Sequence, residues 1–584
     1  MYRKLLKPAV VILPLLVIFV FVLIFIFDDV PDYEYYTDYT EEEYDTADYT
    51  EEEYDTIAYD TYTIDNFQAG NDFLLPNRNI TIFEAPPVGW SVQQLSLQDV
   101  IDVFINIPNN GYLWVTDTYY NGRGNNRGNI AEARRYDNGR MVIEVWPVIN
   151  DTGPGTLLQR SQLNELIRVM MYVLNPGDEL VFHEGKYQRF LTVGPDSGNI
   201  GLNVGGTPDN PIIIRGYGNG QSRPVFHNDM HGVNMWEITM SNLVICFIDF
   251  AFSQQGSVRL QGLPKGAGPD RNGNFVSMGE HPFVLGGSHR NFPDDRPVNY
   301  LIENVVIRNS IFGNFPSQYN ITVNHPGREF RNITIESNSF VGSTQAGIYI
   351  GSAVYGSPVI GINVRNNFFD HSNITSPFCY LGYTIQTKRG SVGVVFENNL
   401  VLNPWGPGIF FYGAYPHYNY PSTSHSYIRN NVILGGRPVG VGNGILIAGG
   451  PVTVENNIVI GNQRNIRMHN YAYYRYDNVW RGIYFFNNFS ANGVLLNFGM
   501  PDIFYNPDWG DAVGSGHIVY NGNEIISDSQ VLHDGLASLL AHRERPEGMN
   551  GLMAAINARY NSDLGAFTES EVINLLTTYF GMYA

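Results

Sequence analysis

Between Ile302 and Phe498 the chain alternates apolar and polar residues in short bursts, each closed by an Asn pair or its near equivalent. The bursts are Ile307-Arg308-Asn309-Ser310, Ile335-Glu336-Ser337-Asn338, Val364-Arg365-Asn366-Asn367, Phe396-Glu397-Asn398-Asn399, Ile428-Arg429-Asn430-Asn431, Val454-Glu455-Asn456-Asn457 and Phe485-Phe486-Asn487-Asn488. Successive copies stand 28, 29, 32, 32, 26 and 31 residues apart. Period-2 alternation predicts strands. Recurrence once per drifting period of this length predicts a solenoid with one such strand per coil.

The columns sharpen that reading. Two residues before the leading position stand Val305, Ile333, Ile362, Val394, Ser426, Val452 and Ile483, apolar but for one serine. Both apolar columns are expected to face inward. The final Asn position tolerates a turn, and its amide can bond to the equivalent amide on the next rung. A second strand is expected after each turn, as in Ile321-Thr322-Val323, Ile348-Tyr349-Ile350, Ile409-Phe410-Phe411, Ile445-Leu446-Ile447 and Ile466-Arg467-Met468. Arg308, Glu336, Arg365, Glu397, Arg429 and Glu455 alternate in sign at one outward position, a pattern that sets each charge against its opposite if the copies stack in register.

Stacked parallel strands with an Asn ladder at one corner resemble the right-handed parallel β-helix of the pectate-lyase-like superfamily. From Thr156 a helical run over Leu157–Leu174 leads to Asn175-Pro176-Gly177-Asp178, then Gly185-Lys186-Tyr187 and Gly206-Thr207-Pro208-Asp209-Asn210-Pro211-Ile212. That order is similar to the opening coil of carbohydrate-active β-helices, including chondroitinase-B-like and alginate-lyase-like enzymes. The resemblance implies an all-β solenoid over 156–500 with an N-terminal capping helix. Helical spacing over Ser529–His542, Met549–Tyr560 and Thr568–Phe580 predicts a C-terminal helical cap over 501–584, set across the open end of the coil. The rungs are expected to stop near Pro501, and Gly262–Val298 reads as a long inserted loop.

Ahead of the coil the composition changes. Arg3, Lys4 and Lys7 precede an apolar run from Pro8 to Phe27, long enough for a single N-terminal transmembrane helix. No small-residue cleavage site follows, so residues 1–27 read as an uncleaved anchor, with a cleaved signal as the alternative. Residues 28–65 hold 16 acidic and no basic residues, most of the chain's net charge of −21, and repeat Asp38–Ala47 almost unchanged as Asp48–Ile57. Such density reads as an extended, disordered acidic stalk; weak calcium binding and tyrosine sulfation are the functional alternatives. Residues 66–155 form a small accessory or cap region, with strands at Gly111–Val115 and Arg140–Trp146. Cys246 and Cys379, the two cysteines, sit several rungs apart, too far for a disulfide.

The superfamily's catalytic signatures are missing. No Gly-His-Gly with Arg-Ile-Lys, as in polygalacturonases, occurs, and Phe369-Asp370-His371-Ser372 only echoes the pectate-lyase strand. What remains is a cluster after the second strands. Candidate catalytic residues are Lys388, Arg389, Tyr412 and His417; candidate substrate-binding residues are Gln386, Tyr415, Tyr418, Arg467 and His469. Elimination from a uronic acid needs a cation for the carboxylate, a base for the C5 proton and an acid for the leaving oxygen. Arg389 or Arg467 suits the first role, Lys388 or His417 the second, Tyr412 the third, and the tyrosine rings suit sugar stacking. The plain alternative is solvated bases and packed rings. His227 and His231 form an isolated pair without metal-ligand spacing, so no metal site and no cofactor is expected, with calcium left open.

Three function classes follow: a lyase or epimerase on an acidic, uronate-containing polysaccharide; a non-catalytic glycan-binding or adhesion solenoid; and a structural surface protein. The expected partners are a glycan and, through residues 1–27, a membrane, not nucleic acid; oligomeric state stays open. The expected location is a single-pass membrane protein with its N-terminus cytoplasmic and its body extracytoplasmic. Protease added to intact cells should then release the body and leave a short membrane remnant. Recovery of soluble protein beginning near Asp28 would assign the run to a cleaved signal.

Overall fold

The computed structural model describes residues 102, 104–120, 126–148, 173–187, 191–193, 205–218, 223–228, 236–252, 283–285, 300–313, 319–324, 328–341, 346–351, 359–371, 383–388, 390–404, 406–413, 425–436, 443–462, 464–468, 483–492, 503–504, 518–526, 528–540, 548–562 and 564–580. The expected anchor, the stalk and nearly all of the capping helix lie outside them. Among the described residues, no helix is long and apolar enough to cross a membrane.

Strands of the described residues fall into three sheets of 15, 11 and 10 strands, and successive coils contribute one strand to each. This is a parallel β-helix. The predicted leading strands form the first sheet, Val305 beside Ile333, Ile333 beside Ile362, and at the far end Ile483 beside Ile518. Both apolar columns do face the core. Ser426, the exception, is buried and accepts the backbone N–H of Val394 at 3.1 Å. The predicted second strands form the third sheet, and the strand directly after each Asn turn belongs instead to the second sheet, which the alternation did not show. In the second sheet the inward column stacks Phe250, Phe312, Phe340 and Phe369, centroids 4.8, 5.0 and 4.6 Å apart and nearly parallel.

The Asn pair divides its work between two residues. Asn309, Ser337, Asn366, Asn398, Asn430, Asn456 and Asn487, the first of each pair, take positive φ of 51–56° and turn the chain between the first and second sheets. The second residue builds the ladder. Asn399 Oδ1 accepts the backbone N–H and Nδ2 of Asn367, both at 3.1 Å; its own Nδ2 donates to Val364 O at 2.9 Å and Asn431 Oδ1 at 3.0 Å. Every hydrogen-bonding group of that fully buried amide is satisfied. The pattern runs from Ser310 to Asn523. A shorter amide chain, absent from the sequence reading, links Asn332 to Asn304 to Asn242 at a kink in the first sheet, again at positive φ.

Three expectations need correction. The rungs do not stop near Pro501: Ile503–Phe504, Ile518–Asn521 and Glu524–Ile526 add one more strand to each sheet. Gly262–Val298 is not wholly a loop, because Phe283–Leu285 is a strand of the third sheet. Three residues among glycines and prolines are too few for alternation to register. The C-terminal helices α1 (Gln530–Leu540), α2 (Met549–Asn561) and α3 (Glu569–Phe580) form, but they do not sit across the open end. They lie along the side of the second sheet, over the outward residues Phe368, Leu400, Val432, Ile458 and Phe489. Those residues would otherwise leave an apolar stripe in water, at about 1.5–3 kcal/mol per large side chain. On the last strand Ile525, in the inward column after Val459 and Ser490, stays 40% exposed because no further rung covers it.

At the other end, Tyr112–Tyr120, Asn126–Arg135 and Met141–Val148 pair antiparallel, and the last then pairs parallel with Glu179–Phe182. The Pro-Gly-Asp turn is structural: buried Asp178 accepts the backbone N–H of Met141 and of Asn175, each at 2.6 Å. Burial pushes its carboxyl up from the ordinary range, against the pull of those bonds. Glu179 beside it is held by Arg140 and by Arg215, the latter at 2.9 Å.

All six alternating charges share one column of the first sheet. Glu336 pairs with Arg365 at 2.8 Å and Glu397 with Arg429 at 2.9 Å, while Glu455 accepts from Tyr560 of α2 at 2.7 Å. Both ion pairs are half-exposed, so each is worth about 1 kcal/mol or less. Glu397→Ala should therefore lower the melting temperature slightly. Glu397→Arg, which puts a third positive charge between Arg365 and Arg429, should lower it more, and added salt should narrow the gap. Equal melting of the two variants at low ionic strength would remove the column's role in register.

The amide ladder supports a larger effect. Asn399→Ala strands the Asn367 N–H and the Val364 carbonyl in a dry corner, at about 1–3 kcal/mol per orphaned group. Chemical denaturation should show a loss well above that of Glu397→Ala. Comparable losses would mean that water replaces the amide.

Candidate functional site

The third sheet carries the candidate site. Its strands place Ile348, Ile385, Ile409, Ile445 and Ile466 in the core, so the residue after each points outward. The outward column therefore reads Thr322, Tyr349, Gln386, Phe410, Leu446 and Arg467. One step past the strands, Lys388 lies beside Tyr412, and Tyr412 beside Ala448.

That register moves one sequence expectation. Gln386 is expected after its strand, as Tyr412 is; it lies instead within Tyr383–Thr387, in the column of Phe410. The misalignment has a physical cause. Thr387 occupies an inward position that is apolar on neighbouring rungs, and its hydroxyl accepts the backbone N–H of Tyr412 at 2.9 Å. Alternation alone reads such a threonine as outward.

Of the expected residues the structure brings Lys388 and Tyr412 into contact. Lys388 Nζ donates to Tyr412 Oη at 3.4 Å, and lies 4.7 Å from the centre of the Tyr412 ring and 6.0 Å from that of Tyr349. Tyr383, Phe410, Tyr412, Leu446 and Ala448 pack together beneath it, with Phe410 and Tyr412 centroids 4.3 Å apart. Tyr412 is 8% exposed and Gln386 1% exposed, whereas Lys388 is half-buried. Among the described residues Gln386 Nε2 has no hydrogen-bond partner. A buried amide without a partner carries a desolvation cost, which a ligand acceptor or ordered water reaching it would relieve.

Arg467 shares the outward column of Gln386 but stands three rungs away, about 14 Å at the usual strand spacing. From the rung of Phe410 and Tyr412 it stands two rungs away, about 10 Å. Arg389, Tyr415, His417, Tyr418 and His469 lie outside the described residues. Sequence reasoning missed Tyr349 and Phe410 as neighbours of Lys388. Both sit in the second-strand triplets already recognised, and one count of outward positions along those triplets would have found them.

Other candidates resolve differently. Asp370 and His371 are buried between the second and third sheets, and His371 Nε2 lies 2.9 Å from Thr384 Oγ1, so this echo of a catalytic strand is packing. Cys246 is a free, buried thiol in register between Arg215 and Arg308; burial pushes it up despite the nearby guanidiniums. Among the described residues no group of three or more acidic, His or Cys side chains could hold a metal ion. His231 lies outside them.

Residues 298–497 match the family model described as "Right handed beta helix region". A search of the curated proteins finds no match. Among solved structures, an alginate lyase from Paenibacillus sp. str. FPU-7 is 14% identical, over 62% of this chain and 97% of its own, with a TM-score of 0.35. XylC, in complex with xylose, is 8% identical over 59% and 67%, with a TM-score of 0.33. Pectate lyase Pel9A is 14% identical over 61% and 76%, with a TM-score of 0.23. At these values the likeness extends to neither activity nor substrate.

Proposed function

We propose that this chain, whose residues 298–497 form a right-handed parallel β-helix of the pectate-lyase-like kind, is carbohydrate-active and processes an acidic, uronate-containing polysaccharide on its third sheet. The observation that carries the proposal is the Lys388–Tyr412 contact, a cation and a phenol within hydrogen-bond reach above an aromatic floor. An ammonium over two ring faces is held in place as a cation. That assigns Lys388 to the substrate carboxylate rather than to the C5 proton. The same ammonium donates to the phenol oxygen and so stabilises negative charge developing there, which makes Tyr412 the proton-transfer residue. As the phenolate, Tyr412 takes the C5 proton and passes it to the C4 oxygen as the C4–O bond breaks, which gives the unsaturated uronate of a lyase; delivery of a solvent proton to the opposite face of C5, with no bond cleaved, gives an epimer.

The non-catalytic reading gains less support on this face. Tyr349, Phe410 and Tyr412 are all buried, and Phe410 packs on Tyr412, so few ring faces are free for sugar stacking. Gln386 Nε2, without a partner among the described residues, supplies a donor for substrate on the same face. We place this activity outside the cell, tethered through residues 1–27, on the strength of the apolar run and its positive flank.

The test is a screen of the full chain against polygalacturonate, alginate and glycosaminoglycans. It follows ultraviolet absorbance for unsaturated ends and, for epimerisation, solvent deuterium entering at C5. Tyr412→Phe, which keeps the ring and removes the hydroxyl, should lower kcat by about a hundredfold or more at unchanged melting temperature. Lys388→Ala should lower kcat as well as raise KM for the charged polymer. Absence of both signals on every polymer, or full activity in Tyr412→Phe, would remove the catalytic assignment.

A further inference from the structure

The outward face of the first sheet holds a second arrangement that the Lys388–Tyr412 pair does not involve. Tyr427, Thr453 and Tyr484 stand in register on three successive rungs. Thr453 is small, and His425 fills the space above it: Nε2 lies 2.8 Å from Thr453 Oγ1, and the ring lies 5.0 Å from Tyr427 and 5.9 Å from Tyr484. Phe486 extends the series, 5.9 Å from Tyr484 with rings nearly parallel. The two tyrosines are about 10 Å apart along the coil axis at the usual rung spacing. All four rings are half-buried.

The charges bordering this track are already engaged. Arg429 bonds Glu397 and lies over the Tyr427 and Tyr560 rings, and Glu455 accepts from Tyr560. Burial lowers the His425 imidazole from its ordinary value, so near neutral pH it is uncharged, with one nitrogen on Thr453 and Nδ1 left over. A ligand here meets ring surface and a neutral hydrogen-bonding group, with no unengaged charge among the described residues. A pyranose presents the matching surface, apolar C–H faces rimmed by hydroxyls.

We propose that Tyr427, His425, Tyr484 and Phe486 form a binding track for a neutral, extended oligosaccharide laid along the coil axis. Sugar faces rest on the two tyrosines and a hydroxyl meets His425. The track would hold an uncharged glycan while the third sheet handles an acidic one, so the two faces can be tested separately.

Calorimetric titration of the full chain with cellohexaose, xylohexaose and mannohexaose should show binding of at least one. Tyr484→Ala should weaken it tenfold or more, Tyr484→Phe should retain it, and the double variant Tyr427→Ala/Tyr484→Ala should abolish it. Circular dichroism and melting temperature confirm that each variant is folded. Lys388→Ala should leave this binding unchanged, even where it impairs turnover of an acidic polymer. The proposal is overturned if none of the three hexaoses binds, or if folded Tyr484→Ala binds as well as the parent. It is equally overturned if sedimentation shows that the face instead joins two copies of the chain, through self-association lost in Tyr484→Ala.

Discussion

A buried amide in water-free surroundings must find partners for an acceptor and two donors, and in this coil most of them are supplied by the rungs on either side. Asn338, Asn367, Asn399, Asn431, Asn457 and Asn488 each bond backward to a strand carbonyl and forward to the next amide. A shift of one residue at any corner would strand several polar groups at once. The ladder therefore holds neighbouring coils in register whatever the length of the loops between them. Coil lengths vary, yet the corner geometry barely does: the residue before each ladder position keeps a φ of 51–56°.

Once register is held, single outward positions become columns, and the three sheets use theirs differently. The first sheet carries alternating charges and, toward its end, half-buried rings around His425. The second carries Leu, Val, Ile and Phe, which only a helical cover can keep from water. The third carries an aromatic floor under one lysine. One repeating coil thus presents three chemically distinct faces, because the core dictates only the inward half of each strand. The helices bind the first two faces together. Asn557 of α2 accepts from the corner residue Asn430 at 2.7 Å, and Tyr560 reaches Glu455 at the end of the charge column.

Helix ends show how local chemistry and tertiary position separate. Thr568 and Glu571 form a reciprocal cap at the start of α3: the Thr568 N–H donates to Glu571 Oε2 at 2.8 Å, and the Glu571 N–H to Thr568 Oγ1 at 3.4 Å. That signal is local, and helical spacing predicted the element within a residue. Nothing within α1, α2 or α3 says which surface they cover. The information lay in the all-apolar triplets Leu400-Val401-Leu402, Val432-Ile433-Leu434 and Ile458-Val459-Ile460, whose outward members need a partner.

The sequence by itself determined the leading strands of the first sheet and five triplets of the third, the inward faces of the leading strands, the Asn corner and the alternating column, since each depends on residues within one rung or at a repeated offset. The second sheet, whose short strands follow each Asn turn directly, it did not show. Tertiary structure alone decided which side chains meet across rungs: Lys388 with Tyr412, His425 with Thr453, Glu455 with Tyr560. Those meetings depend on lateral register, on where a threonine replaces an inward isoleucine, and on the path of a chain more than a hundred residues downstream. Alternation is a property of neighbours in sequence. A site is a property of neighbours in space, and in a solenoid the two are separated by a whole coil.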